Sequence, residues 1–346
     1  MPGIYDVQTQ LAAIEMLPPK SRFFRDLMVK PGITGADTEV VEFDLRKGNR
    51  WIAPFVAPNV GGIVLDRDGY ETKYIKFPWI APKRVITGAD GQKRSFGEQH
   101  YSPKTEAERL AEIEAKDIVE LIDSIDFRED LMVCDLLFKG KIDINIMTKD
   151  GELVPSQVVD IGFTNKITLS SPWASDAVDP NDSMGAARSL VIDGGGTPEV
   201  IIMDPASEKA LFKNKTFLAD YDIRNISYGM LKPEWKGPYV KYLGVNKDGL
   251  PMYSFSGTYT DRDGVVKPYV PKGTFACVTK QLFEQLCGPI TLIEKDGTFI
   301  TYTDSHYVPK VFVDEQGNAK ERILYARPLF KPTNVDGWAI ASGLVE

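Results

Sequence analysis

Ser102–Lys141, SPKTEAERLAEIEAKDIVELIDSIDFREDLMVCDLLFKGK, is the stretch on which the reading of the fold turns. Ser102 can cap a helix, Pro103 suits its first turn, and Glu106 and Glu108 complement the positive end of the dipole. Ala111, Ile118, Ile122, Ile125, Met132 and Leu136 recur at three- and four-residue steps or their multiples, so one stripe is expected to be buried. Lys139-Gly140 supplies the stop. The spacing predicts one helix over 103–138, about 50 Å long and several times the usual length. Helix formers thin out at Ser124–Phe127, where a bend is expected. A helix of that length outside a coiled coil implies a strut.

Downstream, Lys141–Met147 alternates, with Ile142, Ile144 and Ile146 on one face and Asp143 and Asn145 on the other. Lys149-Asp150-Gly151 then turns the chain into a return strand, Leu153–Ile161. Beyond Pro172 the pattern mixes short helices, Ser183–Val191 and Pro205–Lys213, with a buried strand, Val200–Met203. Further strands are expected at Pro251–Thr258, Val265–Val270, Phe275–Val278, Ile323–Phe330 and Asp336–Leu344.

Upstream, Leu17-Pro18-Pro19, Pro31-Gly32 and Gly35 break the first ~40 residues into an arm with a short helix at Thr9–Met16. A strand-rich stretch, Val40–Ile86, follows. Within it, Ile63–Leu65, a turn at Asp66–Gly69 and Tyr70–Phe77 read as a long hairpin. Neither face of Tyr70–Phe77 is cleanly apolar, so the hairpin should bury little against its own domain. Arm and hairpin would expose backbone edges that neighbouring copies could cover by strand addition.

The chain has 346 residues, 43% hydrophobic and 26% charged, which suits a soluble protein with a sizeable core and two domains or one composite one. No run approaches the ~18 apolar residues of a membrane span, and Met1–Gln10 does not resemble a signal peptide. Cys134, Cys277 and Cys287 form no CxxC and cannot all pair, consistent with synthesis in the reducing cytosol. The net charge of −8 is uneven: residues 101–160 carry seven Lys or Arg against fifteen Asp or Glu, which equals the whole excess. Such a face repels phosphate and argues against a grip on nucleic acid; it would equally keep a helix soluble.

The search for chemistry is nearly empty. His100 and His306 lack metal-ligand spacing. Asp304-Ser305-His306 sets triad residue types side by side, where neighbours on a strand point to opposite faces. Asp66–Gly69 and Asp261–Gly264 resemble the start of a calcium loop but lack its later ligands, so hairpin turns explain them better. Gly194-Gly195-Gly196 leads into Thr197-Pro198 and a strand rather than a helix, unlike a phosphate loop. Trp51, Trp79, Trp173, Trp235 and Trp338 are scattered and read as packing or interface anchors. No catalytic residue, cofactor or metal is expected.

Several segments, in order, resemble the major capsid protein family of lambda-type tailed bacteriophages. They are the long acidic helix running into Leu136–Lys141, the strand pair ending Val159-Asp160-Ile161-Gly162, and Asp179–Asp182 opening a helix. Val200–Pro205 leading into Ala210-Leu211-Phe212, and Tyr253–Tyr259 followed by Asp263–Pro271, complete the set. The resemblance covers most of the chain and implies an α+β, Hong Kong 97-type capsid fold. It implies an N-terminal arm at 1–45 and an extended loop at 46–88, whose tip, Asp66, Arg67, Asp68 and Gly69, would contact a neighbouring subunit. It also implies a peripheral domain at 89–169 and 323–346 around a spine helix at 103–138, and an axial domain at 170–322.

The implied function is self-assembly into hexamers and pentamers of an icosahedral head around double-stranded DNA, in the virion, after assembly in host cytoplasm. Implied partners are further copies of the chain, a scaffolding protein, a decoration protein and a portal, with no membrane. In some such capsids a loop lysine bonds covalently to an asparagine of a neighbour. Lys73, Lys76 and Asn334 lie in comparable regions, but no matching glutamate motif accompanies them. On this view charge reversal at Glu112, Glu114, Asp117 and Glu120 would stall packaging and leave shells intact. The rivals are a phage tail-tube or baseplate protein, which would not be expected to carry a long amphipathic spine, and a hydrolase using Asp304, Ser305 or His306.

Overall fold

The computed structural model of the chain describes residues 22–46, 70–93, 105–148, 152–175, 178–220, 230–261, 263–294, 297–314, 316 and 318–345. The first elements are α1 (Phe23–Met28), β1 (Val29–Gly35), β2 (Val40–Arg46), β3 (Tyr70–Lys76), β4 (Lys83–Thr87), α2 (Gly88–Gln92) and α3 (Glu106–Lys139). Next come β5 (Lys141–Met147), β6 (Leu153–Asp160), β7 (Lys166–Thr168), α4 (Pro180–Asp193), β8 (Val200–Met203), α5 (Pro205–Leu211) and α6 (Lys215–Asp220). Strands β9 (Met230–Trp235), β10 (Val240–Val245), β11 (Pro251–Phe255), β12 (Thr258–Thr260), β13 (Val266–Pro268) and β14 (Thr274–Val278) follow. The chain closes with β15 (Phe283–Cys287), β16 (Ile290–Ile293), β17 (Phe299–Tyr302), β18 (Val308–Asp314), β19 (Ala319–Tyr325), β20 (Pro328–Pro332) and β21 (Trp338–Ser342).

The expected strut is α3, one continuous helix. Ser102 and Pro103 lie outside the described residues, and the cap is Thr105. Its hydroxyl accepts from the Glu108 N–H at 3.3 Å, and the Glu108 carboxylate accepts from the Thr105 N–H at 2.7 Å. This capping box satisfies donors at a helix start that faces water. At the other end Gly140 sits at φ +74° and donates to the Leu136 carbonyl. The helix runs unbroken through Ser124–Phe127, where the Ser124 hydroxyl donates to the Leu121 carbonyl. Of the expected stripe, Ile125, Met132 and Leu136 are buried, Ile118 and Ile122 half-buried, and Ala111 exposed. The first half of the helix is mostly wet, whereas the second half is packed on several sides.

What packs it is a seven-stranded mixed sheet of order β7-β21-β14-β8-β11-β10-β9. Alternation sends successive residues of one strand into two different cores. Val200 and Ile202 of β8, Ala276 and Val278 of β14, and Trp338 and Ile340 of β21 face the core shared with α3. Ile201, Met203, Phe275, Cys277, Ala339 and Ala341 face the second core, with Trp173 and Met184. Both faces are covered, so β8 and β14 are buried throughout, and all but Thr274 of their residues are apolar. Trp338 stacks on Phe163 with centroids 4.4 Å apart and donates its indole N–H to the Leu137 carbonyl, joining sheet to helix.

The expected hairpin around Asp66–Gly69 is not tested, because Ile63–Gly69 lies outside the described residues; its other limb, Tyr70–Lys76, is β3 and pairs with β2, in register from Val40↔Lys76 to Arg46↔Tyr70. Two expectations need correction. The limb does not lack anchorage in its own chain: Phe43, Ile75 and Phe77 are buried in the core shared with α3. Partial alternation hid this, because Tyr74, an aromatic on the opposite face from Ile75 and Phe77, is 70% exposed. Finally, Ile323–Phe330 is two strands. β19 pairs with β4 and β18, the bridge from Ala326 to Ile80 intervenes, and β20 moves to β15. The expected helix at Thr9–Met16 lies outside the described residues.

Candidate functional site: assembly surfaces and a buried ionic cluster

The side chains with most chemistry gather where α1 crosses α3. Helix periodicity places Asp123, Asp126, Glu129 and Asp130 within two turns of each other. The Arg25 guanidinium donates to Asp126 at 2.8 Å and to Glu129 at 3.2 Å, and its backbone N–H donates to Asp130 at 3.1 Å. Arg22 reaches Asp123 at 3.1 Å and lies over the Phe127 ring. Glu129 is fully buried and also meets His306 Nε2, with the Gln285 carboxamide nitrogen 3.0 Å from that ring atom. The Tyr307 hydroxyl donates to Asp126, and its ring stacks on His306 at 3.9 Å.

Burial sets the electrostatics here. It disfavours the Arg25 cation, but Asp126 and Glu129 outweigh that and hold the guanidinium above its ordinary pKa. Burial, then Glu129 and Asp126, push the Tyr307 phenol up. Burial raises Asp130 to about 6 against the opposing pull of the Arg25 N–H, Arg22 and Arg25. Sequence reading missed this cluster, and the signal available was four acids inside the buried half of an amphipathic helix.

The remaining candidates resolve into structure. His306 is held by Glu129 and Gln285 rather than by Asp304 or Ser305, so the triad arrangement is not formed. Asp261, Asp263 and Gly264 lie between the antiparallel strands β12 and β13, with Gly264 at φ +75° and Lys267 on Asp261, while Arg262 lies outside the described residues. Gly194 is a close-packing position, where a Cβ would lie 2.2 Å from the Asp336 carbonyl oxygen. Trp173 and Trp338 are core anchors, while Trp79 and Trp235 are half exposed or more. Lys73 donates to the Asp160 carbonyl, and Lys76 pairs with Glu39. The Asn334 amide is engaged at both ends, donating to Gly194 and accepting from Asp336. Among the described residues no group of three or more His, Cys, Asp or Glu could hold a metal ion. Asp66, Arg67, Asp68, Gly69 and His100 lie outside the described residues.

Two ribbons carry paired exposed apolar side chains. In β5–β6 the pair Ile142 and Val159 is buried, whereas Ile146 and Val154, further along the same face, are 55% and 46% exposed. In β16–β17 the paired Ile293 and Phe299 are both exposed. Two-stranded ribbons are marginal alone, and exposed apolar faces mark contact surfaces.

A family model described as phage major capsid protein E matches residues 6–342. The chain belongs to that family. The capsid subunit is 26% identical over 245 residues to the P21 prophage-derived major head protein of Escherichia coli O6:H1 and equally to the major capsid protein of Enterobacteria phage P21, a span of 68% of this chain and 69% of each relative. Its fold matches the prophage capsid protein of Escherichia coli CFT073 with a TM-score of 0.68 at 16% identity, over 97% of this chain and 98% of that one. The capsid of cyanophage P-SCSP1u matches at 0.51 and 10% identity, over 94% and 89%. The fold is therefore the Hong Kong 97-like capsid fold, and the family is one of shell-forming structural proteins.

Proposed function

We propose that the capsid subunit forms hexamers and pentamers of an icosahedral head that encloses double-stranded DNA without reading its sequence, and that it catalyses no reaction. Residues 1–45 would serve as an arm and 46–88 as a loop reaching over a neighbour through Asp66, Arg67, Asp68 and Gly69. Residues 89–169 and 323–346 would form the peripheral domain around α3, and 170–322 the axial domain. Packing argues for starting the return to the peripheral domain earlier, near residue 282, because β15 pairs with β1 and β20, and β18 pairs with β19, which pairs with β4. A scaffolding protein, a decoration protein and a portal are the further partners of this reading, with assembly in host cytoplasm and no membrane.

The observation that carries it is the β2–β3 pair. Two strands rooted in the core by Phe43, Ile75 and Phe77 hold residues 47–69 between their far ends. A limb clamped at its base can bear load from an adjoining subunit. Negative-stain microscopy of the purified full chain is expected to show closed hollow shells. Tubes would favour the tail-tube rival, and a stable monomer would overturn the proposal. Replacing Asp66, Arg67 and Asp68 together with alanine should lower particle yield by about tenfold while the subunit's melting is unchanged.

A further inference from the structure

Arg327 stands just ahead of β20, where the β2–β3 limb meets the body of the subunit. Two residues bound that limb at its root, Glu39 ahead of β2 and Phe77 after β3, and the Phe77 N–H donates to the Glu39 carbonyl between them. Arg327 grips both. One terminal nitrogen of its guanidinium donates to the Glu39 carboxylate and to the Phe77 carbonyl, each at 3.3 Å. The other donates to the Pro289 carbonyl at 2.8 Å. The Trp79 ring centroid lies 5.1 Å from the guanidinium carbon, and the same ring packs on Tyr325. One cation thus ties together three segments that are far apart in sequence.

The body side of this joint is closely packed. The Gly288 N–H donates to the Arg327 carbonyl, and a Cβ on Gly288 would lie 2.6 Å from Phe77 Cγ, so the Phe77 ring rests on bare backbone. Ile80 and Ala326 exchange backbone hydrogen bonds at 2.9 Å. The Arg327 side chain is 7% exposed, and its Nε has no hydrogen-bond partner. A guanidinium so far from water depends on the acceptors it does have, and a swing of the limb that withdrew Glu39 and Phe77 would strand it. The apolar anchors Phe43, Ile75 and Phe77 hold the limb down, but burial is non-directional and does not set its angle. A planar fork bonded to both sides of the root does. Lys76 also pairs with Glu39, but its side chain is 61% exposed, and a surface pair contributes little.

We propose that Arg327 is a positioning residue for assembly: through Glu39, Phe77 and Pro289 it fixes the direction in which the β2–β3 limb leaves the subunit, and with it the line along which the limb meets an adjoining copy. The second half of that statement rests on the reading of this limb as one that reaches a neighbour. The first half concerns the single subunit and is tested on it alone.

Hydrogen exchange of the unassembled full-length subunit reads the joint without reference to shells. In Arg327→Met, which keeps the stem and removes the fork, peptides covering 40–46 and 70–77 are expected to exchange about tenfold faster than in the wild type. Peptides from α4, in the other core, should keep their wild-type rates. Glu39→Gln, a change on an exposed side chain, should loosen the same limb peptides by about threefold, and Lys76→Gln should leave them unchanged. Negative-stain counts then read assembly: Arg327→Met should lower the yield of closed particles by about threefold or more, because fewer subunits present the limb in the docking direction at any moment. Limb exchange that stays at the wild-type rate in both Arg327→Met and Glu39→Gln would overturn the proposal, as would loosening that includes α4 equally. So would a loosened limb with a wild-type count of closed particles. If Arg327→Met does not fold, the two exposed variants decide: equal loosening by Glu39→Gln and Lys76→Gln would assign the restraint to the surface pair and overturn the role of Arg327. A wild type that forms no shells would remove the assembly reading by itself, while the exchange comparison still decides the joint.

Discussion

Glu114 lies on the exposed half of α3, and its position in sequence suggests a solvated acid. Its carboxylate instead joins Lys320 at 2.6 Å and Arg322 at 3.2 Å, and Arg322 also donates to the Glu114 carbonyl. Glu120 is likewise bonded to Arg84 of β4 at 2.7 Å. The Arg322 side chain is only 7% exposed, so losing its partner strands a largely buried cation. Glu114→Gln should therefore cost about 1–2 kcal/mol, read from the urea midpoint of the purified subunit, less than a fully buried pair because Glu114 itself is partly wet. Reversing Glu112, Glu114, Asp117 and Glu120 together should abolish soluble subunit before packaging is reached. Unchanged solubility and melting would restore the view that these charges act on DNA alone.

At the scale of elements, the two ends of α3 differ in what they rest on. Thr105 closes the start with a capping box in water, whereas Gly140 closes the end inside the core. A Cβ on Gly140 would lie 2.8 Å from the Phe163 Cβ, and the residue sits at φ +74°. Gly140→Ala is therefore expected to cost more than about 2 kcal/mol, and Thr105→Ala about 1 kcal/mol. Equilibrium denaturation of the two variants should rank them in that order; equal losses would mean that the core yields around Phe163. Sequence reading located the helix stop to the residue, because glycine after lysine is a local signal. It placed the cap at Ser102, since several polar residues in a row qualify and only the contact with Glu108 selects Thr105.

Across the whole molecule, one sheet separates two cores, and every cysteine is buried. Cys134 and Cys287 are buried in the neighbourhood of α3 and β15, and Cys277 lies in the other core. Burial pushes Cys277 and Cys287 up to about 12 and Cys134 well above its ordinary value. A thiol reagent at about pH 8 should therefore find the native subunit unreactive and titrate three thiols once it is unfolded. Fast modification of one thiol in the native state would show that its core opens locally.

The sequence by itself determined the strongly periodic elements: the long helix, the alternating β5, the buried β8 and the helix after Pro205. Their faces are written in residues three, four or two apart. It also carried the order of segments by which the capsid family is recognised. Only the tertiary structure decided that β3 belongs to β2, that β21 lies between β7 and β14, and that the acids of the helix are largely spoken for. Arg25 finds Glu129 across 104 residues, and Glu129 finds His306 across 177. Periodicity fixes which way a side chain points. Which charge or strand waits there depends on contacts between distant parts of the chain, and no local pattern records them.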